Sequence, residues 1–389
     1  MTVSRREFVS AVSTITLVLA ERWGIGAEAE TIKPPALGPA APEHQAPAED
    51  SGPALEAPPV AARDVKPLAP FNNGRPADGA AWFGASLGKG IKGQGWPNRA
   101  KDLQPMIDLG MRAIRLPLKR DFCFEADGSI NTWVLDNLIS AARYCIGKGV
   151  AFVIDDHKYS RFTNPDIARF WTAFAPAIEK GIGGPNPLFG IELQNEPAKG
   201  AKDWDVWAPS LAATIVLIRN AGYKGYIFAG WGDWNNARQT VRAMAEVRKI
   251  GGMKALDPLK RTIFTMHDYW GKHSDPARTG NDQSPYVDGE IDIAKRYGPA
   301  IDALRAIGAT AVMGEIGGGI TPQGPMPAYE GKGKDGKQLQ QEYFAFAKAN
   351  RDVLLGSWFW AGGRMGETYR HKVAAGNEHT RSLQQGLWS

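Results

Sequence analysis

The sequence predicts a single α/β domain, a (β/α)8 TIM barrel, carried behind an export signal and an extended linker. Three observations lead there. From residue 79 to 389, short apolar runs alternate with stretches of helical period, eight times over. Polar and aromatic residues stand at the carboxyl ends of those runs, where the loops of a parallel barrel form its mouth. No self-similar period of roughly 20–50 residues is present, so repeat architectures do not apply. A doubly wound open sheet uses the same alternation and is the competing architecture.

Residues 1–29 read as an export signal. Ser4-Arg5-Arg6-Glu7-Phe8 precedes an apolar run from Phe8 to Ala20 that is broken only by Ser and Thr. The run is too short to span a bilayer, which takes about 20 apolar residues. Paired arginines followed at once by Phe8 and Val9 resemble the twin-arginine pattern. A Sec-type signal with a chance arginine pair, or a retained anchor, is the alternative. Cleavage is expected after Ala20 or Ala29, and the mature protein is expected outside the bacterial cytoplasm, periplasmic or secreted. Residues 30–78 hold 11 of the 27 prolines among Ala, Glu and Gly, with no apolar period. Such a composition cannot bury enough surface to fold and is expected to stay extended as a spacer.

Within 79–389 the expected strands are 82–87, 113–118, 150–157, 189–196, 226–231, 262–269, 309–316 and 354–360. Expected helices between them include 100–109, 132–147, 166–179, 203–220, 236–249, 293–307 and 338–350. This region carries 39 basic and 31 acidic residues, an excess too mild to argue a nucleic-acid partner. Two cysteines are too few for a disulfide scaffold. Cys123 falls in a loop after a strand and Cys145 near the end of the next helix, about 20 Å along it at ~1.5 Å per residue. Both are expected to be unpaired.

The stretch Leu188 to Pro197 organises the rest. Phe189, Ile191 and Leu193 share one parity and Glu192, Gln194 and Glu196 the other, which suits a strand with helices outside and a polar barrel interior. Pro197 cannot extend a ladder, so Asn195 and Glu196 are left at the strand's carboxyl end. Read together, the strand ends carry Arg115, His157, Asn195, Glu196, Trp231, His267, Tyr269, Glu315 and Trp360. Two glutamates with aromatic plates are what glycoside hydrolysis requires: a carboxyl group on either side of the anomeric carbon, and flat apolar surfaces for sugar C–H faces.

On these residues the chain resembles glycoside hydrolase family 5 of clan A, and within it secreted endo-β-1,4-glucanases of the fungal type and their bacterial relatives. Asn195-Glu196-Pro197 is similar to the family's acid/base motif at strand 4. Glu315 in Val312-Met313-Gly314-Glu315-Ile316-Gly317 is similar to its nucleophile motif at strand 7. His267-Asp268-Tyr269 resembles its His-x-Tyr, Arg115 and His157 its positions on strands 2 and 3, and Trp360 the tryptophan of its last strand. Gly232-Asp233-Trp234 fits as a cleft tryptophan. One departure stands out: His157-Lys158 replaces the usual His-Asn or His-His, which leaves the preferred sugar open.

The resemblance implies a retaining mechanism with Glu315 as nucleophile and Glu196 as acid/base. Arg115 and Tyr269 would favour the ionised form of Glu315. Arg115, His157, Asn195, Trp234, His267, Tyr269 and Trp360 would bind substrate, with Asn195 on a 2-hydroxyl and Trp360 under the reacting sugar. Structural readings stand beside some of these: Glu315 paired with Arg115, and His157 and His267 as satisfied core groups. Glu192, deeper on the inward parity, reads as an ion-pair partner rather than a reacting group. Trp231 is either a leaving-side plate or core, Trp204 and Trp207 are packing residues, and Trp358 shares the parity of Trp360 without an assigned part.

Other chemistry fits poorly. Gly88-Lys89-Gly90-Ile91-Lys92-Gly93 spells a dinucleotide fingerprint, yet Gly95 and Pro97 follow before any helical period and no acidic residue closes the second strand. Six scattered histidines offer no metal-ligand spacing, so neither cofactor nor metal is expected. The expected partner is a polysaccharide or oligosaccharide, without nucleic acid, nucleotide or stable membrane insertion, and the protein is expected to be a monomer. β-1,4-Glucan is the first substrate class, with mannan, xyloglucan or another β-glucan as alternatives. The non-enzyme alternative is a catalytically silent sugar-binding barrel.

Overall fold

The computed structural model describes residues 66–83, 97, 99–158, 165–197, 204–271, 284–363, 369 and 371–388. The export signal, the linker up to residue 65, and the Gly88–Gly93 loop lie outside the described residues. Eight parallel strands close on themselves: β1 (Gly79–Phe83), β2 (Ala113–Leu118), β3 (Ala151–Asp156), β4 (Phe189–Glu192), β5 (Tyr226–Ala229), β6 (Thr262–Tyr269), β7 (Ala311–Gly317) and β8 (Leu354–Gly363). Each is followed by a helix: α1 (Gln104–Asp108), α2 (Thr132–Gly147), α3 (Pro165–Gly181), α4 (Trp204–Asn220), α5 (Thr240–Lys249), α6 (Ile293–Ala306), α7 (Gly336–Ala349) and α8 (Glu378–Gly386). The expected (β/α)8 architecture is therefore the observed one, and the open sheet is excluded by β1 pairing with both β2 and β8.

Side-chain parity explains the layering. Ile114, Leu116, Phe152, Ile154, Phe189, Ile191 and Ile227 face outward into the shell between strands and helices. The opposite parity fills the floor of the barrel with Ala113, Val153, Leu188, Phe228, Val312 and Trp358. Helix starts are set by side-chain caps: Asn131 accepts from the Val134 amide at 3.1 Å, and Asp335 forms a reciprocal box with Gln338.

Several boundaries differ from expectation. β1 lies earlier than 82–87, because Gly79 and Ala80 pair with β2 and β8, and residues 84–87 lie outside the described set. β4 ends at Glu192 rather than Glu196, because the chain turns at once to bring Asn195 and Glu196 to the mouth. α8 has too few apolar residues to show as a helical period. The end of the expected linker is packed rather than extended. Phe71 sits edge-on to Tyr226 at 5.4 Å and Phe228 at 5.0 Å, closing the barrel floor. Asp78 pairs with Arg351 and accepts from the Ser357 amide at 3.0 Å. Cys123 and Cys145 are both free and buried, as expected. Among the described residues no helix is long and apolar enough to cross a membrane.

Candidate active site

The site is built on Arg115, which projects from β2 into the upper barrel and is fully buried. Its guanidinium reaches four partners. Nε and Nη2 donate to the two oxygens of Glu192 at 2.6 and 3.0 Å. Nη2 also donates to Asn195 Oδ1 at 2.8 Å and lies 3.0 Å from Asp155 Oδ2. Nη1 donates to Glu315 Oε1 at 2.7 Å. A fixed fork of five donors suits this task, and a lysine would not replace it. Glu192 is thus the buried ion-pair partner its parity suggested.

One cation faces three carboxylates here, with Glu196 close by. Burial pushes the Asp155 carboxyl up to about 8, Arg115 opposing the shift and Glu315 and Glu196 adding to it. Glu192 is likewise raised, first by burial, against the pull of Arg115. Burial lowers both site histidines, His157 to about 3 and His267 to about 4, so both imidazoles are neutral near pH 7. His157 Nδ1 lies 2.7 Å from Asp155 Oδ2, and its ring stacks on Trp360 with centroids 5.3 Å apart.

Glu315 owes its inward aim to a bulge. Val312 points to the barrel floor and Met313 to the outer shell. Strict alternation would then send Glu315 outward. The ladder slips by one residue instead, so that Met266 faces Met313 but His267 faces Glu315. An extra residue in one strand re-aims the side chains that follow it. Gly314 is that residue, and a Cβ there would lie 1.9 Å from Thr265 Oγ1. Tyr269 then donates its hydroxyl to Glu315 Oε2 at 3.0 Å, so both carboxylate oxygens are held by donors.

Glu196 reaches the same spot from the turn after β4. Its backbone is left-handed, with φ of 39°, an uncommon state for a residue with a side chain that marks local strain. Its Oε1 lies 3.0 Å from His267 Nδ1, and its side chain keeps 16% of its surface, more than the 6% of Glu315. One oxygen of each glutamate and one ring nitrogen of His267 lie within 4.8 Å of one another. Such a trio could hold a metal ion, although its imidazole nitrogen is engaged by Glu196. Chemically, these are two acids in unlike surroundings, one more exposed than the other, with oxygens close enough to act on one bound group.

The structure brings Arg115, His157, Asn195, Glu196, His267, Tyr269, Glu315 and Trp360 together at one mouth. Trp234, half-buried, stands beside them, its amide donating to Pro197 O at 3.4 Å. Trp231 is core: fully buried, with Nε1 donating to Asn236 O at 3.0 Å. Trp204 and Trp207 pack edge to face, and Trp358 closes the floor with Nε1 on Ala77 O. Lys158 is paired with Asp121 at 2.6 Å near the surface. Sequence reasoning missed Asp155, Asn235 and Tyr369. Asp155 was legible, two residues before His157 on the same parity. Tyr369 packs with Trp360 and Ala81, and the sequence around it carries no periodic signal.

A family model described as cellulase, glycosyl hydrolase family 5, matches residues 72–363. No curated protein matches the chain in sequence. Among solved structures it is similar to XacCel5A in complex with cellopentaose, with a TM-score of 0.62 and 18% identity over 81% of this chain and 100% of that one. It is similar to the Pseudomonas stutzeri endoglucanase Cel5A, with a TM-score of 0.61 and 19% identity over 82% and 96% of the two chains. The catalytic domain of a Streptomyces mannanase gives a TM-score of 0.53 and 15% identity over 81% and 88%.

Proposed function

The chain belongs to the cellulase family, glycosyl hydrolase family 5, and is a glycoside hydrolase; within that family we propose that it is a retaining endo-β-1,4-glucanase with Glu315 as nucleophile and Glu196 as acid/base. The observation that carries this is the approach of Glu196 and Glu315 to within 4.8 Å. Retaining enzymes hold their carboxyl groups roughly 5–5.5 Å apart, whereas inverting ones leave about 6.5–9.5 Å for a water. In the first step a Glu315 oxygen bonds to the anomeric carbon. The bond from that carbon to the leaving oxygen breaks, and the Glu196 proton passes to that oxygen. In the second step Glu196 takes a proton from water, whose oxygen displaces Glu315 from the same carbon. Arg115 and Tyr269 keep the nucleophile aimed through both steps.

Asn195, His157 and His267 line the reacting sugar, and Trp360 and Trp234 offer flat surfaces on either side. The solved structures the chain resembles include endoglucanases and a cellopentaose complex, which favours a β-1,4-glucan. The resemblance to a mannanase is weaker. Residues 1–29 act as the export signal and the proline-rich stretch after them as a spacer from the cell envelope, so that a monomeric barrel meets a soluble or amorphous polymer outside the cytoplasm.

The test is reducing-sugar release from carboxymethylcellulose, mannan, xyloglucan and mixed-linkage glucan. Carboxymethylcellulose or mixed-linkage glucan should be cleaved fastest, and Glu196→Gln should lose about 10²–10⁴-fold on the preferred polymer. Fastest release from mannan would replace the substrate. Full activity in both Glu196→Gln and Glu315→Gln would remove the assignment of roles.

A further inference from the structure

Between β5 and α5 three consecutive residues, Asp233, Trp234 and Asn235, are left-handed, with φ of 64°, 61° and 55°. Residues with a Cβ adopt this region only at a steric cost, which is least for asparagine. Strain of this kind persists where the surroundings over-determine it and clusters at functional sites. The turn's product is the placement of Asn235, which is fully buried. Its carbonyl accepts from the His267 amide at 2.8 Å. Its side-chain Oδ1 accepts from the Trp231 amide at 3.1 Å. That bond settles the orientation of the amide, because a backbone N–H can only donate and must meet the oxygen. Gly230 makes room for it: a Cβ there would lie 2.0 Å from Asn235 Oδ1. The NH2 end is therefore the one turned toward His267 Nε2, 3.5 Å away.

We propose that Asn235 is a positioning residue that holds His267 as the Nδ1–H tautomer and thereby fixes where Glu196 carries its proton. Facing an NH2 group, Nε2 acts as the acceptor and Nδ1 bears the hydrogen. Nδ1–H is then donated to Glu196 Oε1 at 3.0 Å. A carboxyl oxygen that accepts this bond does not also present a proton to the same nitrogen, so the acidic proton of Glu196 sits on Oε2. In the other tautomer Nδ1 would be an acceptor, and the proton would turn onto Oε1 toward the imidazole, away from the leaving oxygen. The charged and titratable groups that act on His267 are Glu196, Glu315 with its Oε2 at 3.8 Å, Arg115, Glu192 and His157. Of these Glu196 alone is hydrogen-bonded to Nδ1 among the described residues.

The inference rests on Glu196 as acid/base, so its test reads the tautomer separately from turnover. In 15N-histidine-labelled protein, with His267 assigned by its loss in His267→Asn, Nε2 should be unprotonated in the wild type. In Asn235→Asp it should be protonated, because a carboxylate replaces the amide donor. Asn235→Gly, which suits a left-handed backbone, removes the donor without that charge. Both variants should lose about 10²-fold in kcat/KM on cello-oligosaccharides. Both should stay within about threefold of wild type on 2,4-dinitrophenyl β-cellobioside, whose leaving group needs no proton. A protonated Nε2 in the wild type overturns the proposal. So does an equal loss on both substrates, or no loss on either. If the wild type cleaves neither substrate, the glucanase reading fails while the spectrum still reports the tautomer.

Discussion

At the scale of residues, the site is an exercise in placing more negative charge than one arginine can balance. Arg115 binds Glu192 through two parallel bonds and Glu315 through one, and Asp155 keeps its proton to about 8 because burial outweighs the guanidinium. The histidines show the opposite sign. His379, on α8, is fully buried beside the Ile320 carbonyl to which its Nδ1 donates, and burial lowers it to about 4. The unfolded imidazole binds its proton at about 6.5, so between pH 6.5 and 4 the unfolded chain holds more protons than the native one. Stability from this group is therefore full above pH 6.5 and is lost as pH falls toward 4, by on the order of 3 kcal/mol. His379→Asn keeps a donor for Ile320 and should flatten the acid limb of the Tm-against-pH curve relative to wild type. Parallel curves would show that His379 is not buried in the neutral form. Much of the site could be read from residue types alone, since acids, arginine and histidines at strand ends have few structural uses. Asn235 could not. Its part depends on a left-handed turn, and Asp233-Trp234-Asn235 carries no pattern that announces one.

At the scale of elements, β2 and β6 match their expected spans, and in β2 Ile114, Leu116 and Leu118 supply an apolar outer face opposite Arg115. β4 stops four residues short of its expected span, since parity continues past the point where the ladder ends. Nothing in the sequence marks the β7 bulge: the parity of Val312 and Met313 sends Glu315 outward, and only the slip at Gly314 turns it to the mouth. That slip depends on glycine. Gly314→Ala would drive a methyl group against Thr265 Oγ1, and overpacking of this kind costs about 1–3 kcal/mol. It should also lower kcat by moving Glu315. Gly314→Ala with Thr265→Ala should recover most of the stability in a denaturant titration. If the single variant is as stable and active as wild type, the bulge does not depend on the missing side chain.

At the scale of the whole molecule, chain closure does the chemical work. Arg115 and Glu315 are 200 residues apart in sequence, yet they are hydrogen-bonded. The floor is sealed from below by Phe71 and from within by Trp358, leaving the upper barrel for polar groups. This convergence was legible, because strand–helix alternation fixes which ends meet. The extent of the packed N-terminal segment was not, because prolines hide the few apolar anchors among 66–78. In the proposed reaction Glu315 forms a covalent bond to the sugar while Glu196 manages the proton. Incubation with the 2-deoxy-2-fluoro-β-glycosyl fluoride of the disaccharide the substrate screen selects, followed by peptide mass spectrometry, traps and locates that bond. A single glycosyl adduct on the peptide that bears Glu315, absent in Glu315→Gln, is the expected result. An active enzyme that forms no adduct, or forms it on another carboxylate, would contradict it.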